Sequence, residues 1–488
     1  MRVILAEKPS VAQSIAAVLG ADQKKNGYLQ GENDLVSWCI GHLIDLAPPE
    51  IYDARYAKWR REDLPILPSA WESVVSDGTK KQFAVLKDLL NRTDVDEVVC
   101  ATDAGREGEL IFRMVYEKTG CTKPVKRLWI SSLEESAIRD GFRSLKPGTA
   151  YDALYRAALC RAQADWLVGI NGTRLYSRLY GTKLNVGRVM TPTLAMVAQR
   201  EKEIAAFQVE RFYTAQLSCG FPAQSGRIKT REEAERIRAS CHCKKAAVKQ
   251  IERRQKKEKP PKLYDLTALQ RDANRIYGYT AQQTLDYAQT LYEKKLATYP
   301  RTDSRFLTHD LRDRLPALIE CVAQVLPFAS GLPLAVHTQQ VIRDEKVSDH
   351  HAIIPTQNMT REALAQLPMG ERSILTLLAV RLLAATGEPC ETDEVTVTLD
   401  CEGHDFTAKG STVRQMGYRV FEETFRGSLG SRERKEQEYP IPPLEIGQMV
   451  GPVVATIREG QTTPPKRYTD VIFCERKEWI GIEERSSA

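Results

Sequence analysis

The feature that most limits the fold of this chain is a short apolar strand that ends in a carboxylate and runs straight into a helix, written twice. Arg2-Val3-Ile4-Leu5-Ala6 reads as a buried strand; Glu7 follows, and Ser10 is placed to cap a helix through Val11, Ile15 and Val18 that stops at Gly20. The pattern returns at Glu97-Val98-Val99-Cys100-Ala101, with Asp103 in the turn, a helix through Leu110, Ile111 and Val115, and a stop at Gly120. A third apolar run, Leu128-Trp129-Ile130, precedes an expected helix from Glu134 to Leu145. Strands alternating with helices predict a parallel α/β sheet. Functional groups of such sheets gather at the carboxyl ends of the strands, so Glu7 and Asp103 are expected to face one crevice.

Farther along, the alternation gives way. Residues 35–75, with Trp38, His42, Pro48, Pro49, Trp59, Pro65 and Pro68, read as an insertion reaching another domain. From about 150 to 205 the pattern is helical, with Arg161, Arg174, Arg178 and Arg188 among apolar residues, a surface suited to phosphate contacts. Segments around 208–262 and 392–456 alternate like strands, and the charged run from Glu252 to Lys262 reads as a strand end or hinge. Between them, Asp265 and Thr280 open two helices, a helix-turn-helix arrangement like a small winged-helix DNA module that leads directly to Tyr299. With 488 residues, 42% of them hydrophobic, the chain can bury several cores, and the length suggests about three or four domains.

Charge and cysteine content narrow the setting. A net charge of +6 permits a basic groove without demanding one. Eleven cysteines stand singly except for Cys241-His242-Cys243, and no CxxC pair exists to build a zinc ribbon. They read as reduced thiols. No signal-like leader precedes Glu7 and no apolar run approaches the roughly 18 residues of a membrane span, so the expected location is cytoplasmic, with no membrane contact.

Two constellations carry chemistry. In Tyr299-Pro300-Arg301-Thr302-Asp303-Ser304-Arg305, a phenol stands beside two guanidinium groups. A phenol of ordinary pKa near ~10 attacks phosphorus only where positive charge stabilises the phenolate and the transition state. Arg301 can hold two phosphate oxygens and Arg305 a neighbouring phosphate. Pro300 should push Tyr299 out of the helical region, leaving it exposed past a helix end. The second constellation, Asp103-Ala104-Gly105-Arg106-Glu107-Gly108-Glu109, adds carboxylates to Glu7. Such a set suits Mg²⁺, which takes one or two carboxylates and keeps places for water and phosphate oxygens.

Five stretches together are similar to the type IA DNA topoisomerases, and within them to the bacterial topoisomerase III group. They are Ala6 to Ser10, Asp103 to Glu109, Leu184 to Leu194 (with Gly187-Arg188-Val189-Met190-Thr191), Tyr299 to Ser304, and Asp349 to Thr356, in the family's order over about residues 1–470. The resemblance implies a multidomain α/β, all-α and β toroid. A TOPRIM domain would occupy 1–147, with the insertion joining the helical domain; a helical single-strand-binding domain 148–207; a β arch 208–262 and 392–456; a winged-helix-like domain with the tyrosine 263–391; and the remainder of the helical domain 457–488. It implies ATP-independent cutting of one DNA strand through a 5′-phosphotyrosyl link, passage of another strand and resealing. Tyr299 would be the nucleophile, Glu7 with Lys8 would handle the proton of the 3′-oxygen, Glu7, Asp103 and Glu107 would hold Mg²⁺, and Arg301 and His350 would contact the scissile phosphate. Arg161, Arg174, Arg188 and Thr191 fall in the segment that resembles the single-strand groove. The partner would be single-stranded or underwound DNA, with a helicase as a candidate associate; the protein would be a monomer near the nucleoid, without ATP or zinc. No GxxxxGK[ST] loop is present to bind a nucleotide.

Two departures qualify the resemblance. The family has Asp at the middle acidic position, where Gly105 stands here. One metal then sits on Glu7, Asp103, Glu107 and water, or Glu109 compensates; the first is expected, because Glu109 should point along the helix away from Asp103. After Tyr468-Thr469-Asp470 the family pattern is lost, and Val471 to Ala488 reads as a truncated or frameshifted end. That ending is expected to uncover an apolar face and weaken stability and strand binding. The alternatives are a catalytically impaired single-strand DNA binder and a TOPRIM nuclease using the acidic site alone.

Overall fold

A computed structural model describes residues 1–347, 350–430 and 441–469. Its first part is a seven-stranded sheet in the order Gln23–Lys25, Tyr28–Gln30, Asp34–Trp38, Arg2–Ala6, Glu97–Ala101, Val125–Arg127, Lys146–Pro147. The four central strands are parallel, and each edge is finished by antiparallel pairing. Val3 to Ala6 and Val98 to Ala101 are buried on both faces, which is why they read as unbroken apolar runs.

Several local expectations change. The first helix is Pro9–Leu19, with Lys8 as its N-cap and Pro9 in the first turn, so Ser10 lies inside the helix and caps nothing. The third strand is Val125–Arg127, just before the apolar run expected to form it, and its helix is Glu135–Arg143. The expected insertion begins with a sheet strand: Asp34–Trp38 pairs in parallel with Arg2–Ala6. Beyond it, the segment packs along the helix Asp152–Tyr180, where Trp166 donates to the Ala47 carbonyl at 3.0 Å and Asn171 exchanges two hydrogen bonds with the Ile66 backbone.

A second seven-stranded sheet joins both distant β-rich regions, in the order Met449–Val450, Ala246–Glu258, Cys390–Cys401, His404–Gln415, Pro222–Gln224, Arg211–Ser218, Val454–Gln461. The charged run is largely strand: Lys256 and Lys257 pair across it with Glu394 and Glu391, so opposite charges hold the register. Between the β regions lies a helical block whose core includes Leu269, Leu291, Ile319, Ile374 and Leu378. Asp265 caps Leu266–Tyr277 through the Ala268 N–H, and Thr280 with Gln283 forms a capping box for Ala281–Glu293. This block meets the first sheet directly: Tyr292 and Tyr299 share one cluster with Ile4, Ala6, Val99 and Ala101. The segment from Val471, expected to depart from the family, lies outside the described residues, as does Asp349.

Candidate active site

The crevice forms where the central strands end. Ala6 and Ala101 are buried, and the next side chains to emerge are Glu7 and, past Thr102, Asp103. The Asp103 N–H donates to Glu7 Oε2 at 3.3 Å, fixing the carboxylates as neighbours. Burial first and Asp103 second push the Glu7 carboxyl up to about 7, with Lys8 and Arg301 partly offsetting them. Asp103 is raised as well, by burial, against the pull of Lys8, a hydrogen bond from Tyr299, and the charges of Arg301 and Arg127.

Tyr299 closes the crevice. Its hydroxyl donates to Asp103 Oδ2 at 3.0 Å and its backbone N–H to the Ser131 carbonyl at 3.1 Å. The ring lies 4.2 Å from that of His350 and meets Tyr292 edge-on. Contrary to the expected exposure, Tyr299 is only 8% exposed. Ser131 and the sheet cluster supply a wall that local sequence cannot reveal. Burial, then Asp103 and Glu7, hold the phenol well above its ordinary pKa, with Arg301 opposing them. The closed site therefore holds a neutral phenol already aimed at a proton acceptor.

His350 faces the same space. Its Nδ1 is 3.1 Å from Ser131 Oγ, and its Nε2 is buried without a hydrogen-bond partner. Burial, reinforced by His351, lowers its pKa to about 3. Which ring nitrogen of His350 carries the proton decides whether the ring accepts from the Ser131 hydroxyl or donates to it. His351 is a satisfied core residue by contrast, with Nδ1 2.8 Å from the Ala352 carbonyl.

The remaining expected residues divide. Lys8 Nζ lies 3.5 Å from Glu293 Oε1, linking the first sheet to the helical block beside the carboxylates. Glu107 is hydrogen-bonded to His42 instead of joining Glu7 and Asp103. Among the described residues, no three His, Cys, Asp or Glu side chains converge on one point. Glu109 is buried and paired with Arg113 at 2.9 Å and Arg127 at 3.1 Å, which removes it as a substitute for the absent middle carboxylate. Arg161 and Arg188 lie close enough to oppose each other's charge, with Arg106 adding to the cluster; Asp165 holds Arg188 at 2.7 Å. Thr191 accepts from the Gly187 N–H at 3.1 Å at the start of the helix Met190–Ala205.

Two arginines serve the fold. Arg174, expected in a DNA groove, is buried; it donates to the Tyr56 carbonyl at 2.7 Å and lies over the Trp59 ring, clamping the insertion onto its helix. Arg305, expected on a phosphate, donates to the Leu263 carbonyl at 3.2 Å beside Asp265, at the entrance to the helical block.

Two site residues escaped sequence reasoning. Arg127, fully buried, donates to the carbonyls of Cys100, Thr102, Asp103 and Leu128 and pairs with Glu109, so it fixes the turn carrying Asp103. A charged residue ending the last parallel strand was the available signal. Gly108 admits no side chain, because a Cβ would stand 2.1 Å from the Asp103 carbonyl oxygen. Gly105 is different: its backbone is extended and a Cβ would meet open space, so nothing local forbids the family's Asp.

The raised Glu7 carboxyl carries a stability prediction. Its folded pKa of about 7 lies above its ordinary value of 4.5, so its contribution to stability is full below 4.5 and lost as pH rises through 7. In metal-free protein at pH 8, Glu7→Gln is expected to raise stability by about 1–3 kcal/mol, with the gap closing by pH 4. Paired denaturant titrations at the two pH values would check this.

The comparisons with known proteins agree with one another. A family model described as DNA topoisomerase matches residues 149–475, and one described as Toprim domain matches residues 2–133. The chain belongs to the type IA DNA topoisomerases. This topoisomerase is 41% identical over 491 residues to a DNA topoisomerase 3 of Bacillus cereus, covering 98% of this chain and 67% of that one. It is 41% identical to DNA topoisomerase 3 of Bacillus subtilis (strain 168), covering 96% of this chain and 66% of that one. The topoisomerase thus spans about two thirds of the length of these curated relatives. Its fold is similar to full-length Topoisomerase I from Thermotoga maritima, with a TM-score of 0.74 at 24% identity, covering 99% of this chain and 76% of that chain.

A Toprim domain implies use of a divalent metal, and the donor set fits one. Glu7 and Asp103 are adjacent carboxylates held against their tendency to ionise, a charge that a divalent cation would relieve.

Proposed function

We propose that this topoisomerase cuts one strand of single-stranded or underwound DNA by attack of Tyr299 on a backbone phosphate, passes another strand through the break and reseals it. The observation that carries the reading is the 3.0 Å hydrogen bond from the Tyr299 hydroxyl to Asp103, which joins the helical block to the end of the parallel sheet. Asp103 takes the phenol proton as the oxygen attacks phosphorus. Glu7, with Lys8 alongside, handles the proton of the departing 3′-oxygen. The DNA 5′-phosphate is left on the tyrosine. Arg301 and His350 steady the charge on the phosphoryl oxygens. Because one phosphodiester is exchanged for another, resealing runs the same transfers backwards and no nucleotide is consumed. A Mg²⁺ ion on Glu7 and Asp103 would supply positive charge to the scissile phosphate.

The arginine cluster of Arg106, Arg161 and Arg188 suits a DNA backbone, since phosphates would relieve the mutual repulsion. Winged-helix and β-arch roles for 263–391 and for 208–262 with 392–456 belong to the same proposal. So do a cytoplasmic monomer and a helicase associate. No helix among the described residues is long and apolar enough to cross a membrane. A second reading, a strand binder without turnover, draws on the helix Met190–Ala205, which buries none of its residues and exposes Met190 and Leu194. Tyr299 bonded to Asp103 argues against a nuclease using the acidic site alone. Negatively supercoiled plasmid is expected to relax with Mg²⁺ and no nucleotide, and to stop on chelation. Binding without relaxation would favour the second reading.

A further inference from the structure

Glu107 stands near the acidic pair and yet is not part of it. One of its carboxylate oxygens is taken by Nε2 of His42, which belongs to the connection between strands Asp34–Trp38 and Ile44–Leu46. That connection turns at Gly41, whose φ of 68° favours glycine, so the backbone delivers His42 to this place by a specific bend. The charged groups that His42 feels are Glu107, Asp45 and Glu7, so it neighbours both the third carboxylate and a member of the pair. Glu107 in turn lies within the field of Arg161 and its neighbour Arg106. Held there, it adds no repulsion to two carboxylates already crowded at the strand ends and balances charge in the arginine cluster.

We infer that His42 is a positioning residue that holds Glu107 out of the Glu7–Asp103 pair, so that the site offers two carboxylates to a divalent cation and keeps the third in reserve. The inference rests on the metal reading of the acidic site. With Gly105 at the middle position, Glu107 is the remaining carboxylate of the turn able to change the ligand count, since Glu109 is committed to Arg113 and Arg127. An imidazole N–H donating to a carboxylate is a charge-assisted bond, and its loss would free Glu107 to swing inward.

The test uses Mn²⁺ as the probe, with the full chain free of DNA and unbound Mn²⁺ followed by its paramagnetic resonance signal. His42→Ala is expected to bind Mn²⁺ about tenfold more tightly than the unsubstituted chain. His42→Gln, which still offers a donor, should restore the original affinity. Glu107→Gln alone should leave it unchanged, and His42→Ala with Glu107→Gln should lose the gain. A merely structural role for His42 would weaken binding or leave it alone, and either result for His42→Ala overturns the inference. So does a gain that persists in the double variant, or several-fold weaker binding in Glu107→Gln, because the carboxylate would then already be a ligand. Should His42→Ala fail to fold, His42→Phe takes its place, with the same gain expected and the same results overturning the inference. Absence of any saturable Mn²⁺ site in the unsubstituted chain would remove the metal reading itself, a failure distinct from that of His42.

Discussion

Arg127→Met is expected to destabilise the protein by about 3–5 kcal/mol, more than a surface substitution could, because it strands a buried anion. Glu109 would keep Arg113 but lose its innermost partner, and the carbonyls of Cys100, Thr102 and Asp103 would each lose a donor. The damage should reach function, since those carbonyls define the turn presenting Asp103 to Tyr299. Urea unfolding followed by far-UV circular dichroism would measure the loss. Adding Glu109→Leu should recover part of it, because replacing both members of a buried ion pair by apolar groups is often close to neutral. A loss below about 1 kcal/mol for Arg127→Met would mean that the network is not what orders the turn.

His350→Ala is expected to slow strand cleavage by roughly 10²- to 10³-fold, the usual effect of deleting one preorganised donor to a developing oxyanion. Its ring stands 4.2 Å from that of Tyr299, beside the phosphate that the phenol would attack. The pH dependence separates this role from acid–base catalysis. With its pKa lowered to about 3 from the ordinary value of 6.5, His350 contributes stability that is present above 6.5 and lost as pH falls through 3, and it stays neutral wherever the enzyme works. The cleavage rate should therefore show no inflection near 6.5 assignable to His350, and the deficit of His350→Ala should be the same at pH 6 and pH 9. Single-turnover cleavage of an oligonucleotide across that range would check it, and a deficit that grows as the pH falls would assign the ring a proton-carrying role instead.

The parts legible in the sequence were those governed by local periodicity. The strands Arg2–Ala6 and Glu97–Ala101 were plain apolar runs, and the rule that parallel strands gather function at their carboxyl ends brought Glu7 to Asp103. Tyr299 was legible by chemical type, but its burial was not, because Ser131 and the sheet residues Ala6 and Ala101 come to it from distant segments. Arg174 and Arg188 looked alike in a helical pattern. One is buried against the insertion and the other stands partly exposed on Asp165, a difference set by packing between elements and not by spacing along a helix. Gly108 is required by a carbonyl five positions back in the same turn, and Arg127 by backbone oxygens from a neighbouring strand. Neither demand leaves a periodic trace. In the second sheet, strands run from Cys390 and as far as Gln461 because pairing partners, not composition, set where a strand ends.

The central claim is that Tyr299 becomes covalently joined to a DNA 5′-phosphate through the site built by Glu7 and Asp103. The most direct test mixes the protein and Mg²⁺ with a single-stranded oligonucleotide labelled at its 3′ end, stops the reaction with detergent and separates protein from DNA under denaturing conditions. The label should travel with the protein, a 5′ label should be released, and Tyr299→Phe should give no adduct while still binding the strand. No adduct despite strand binding, label retained from the 5′ end, or an adduct that survives Tyr299→Phe would contradict the account.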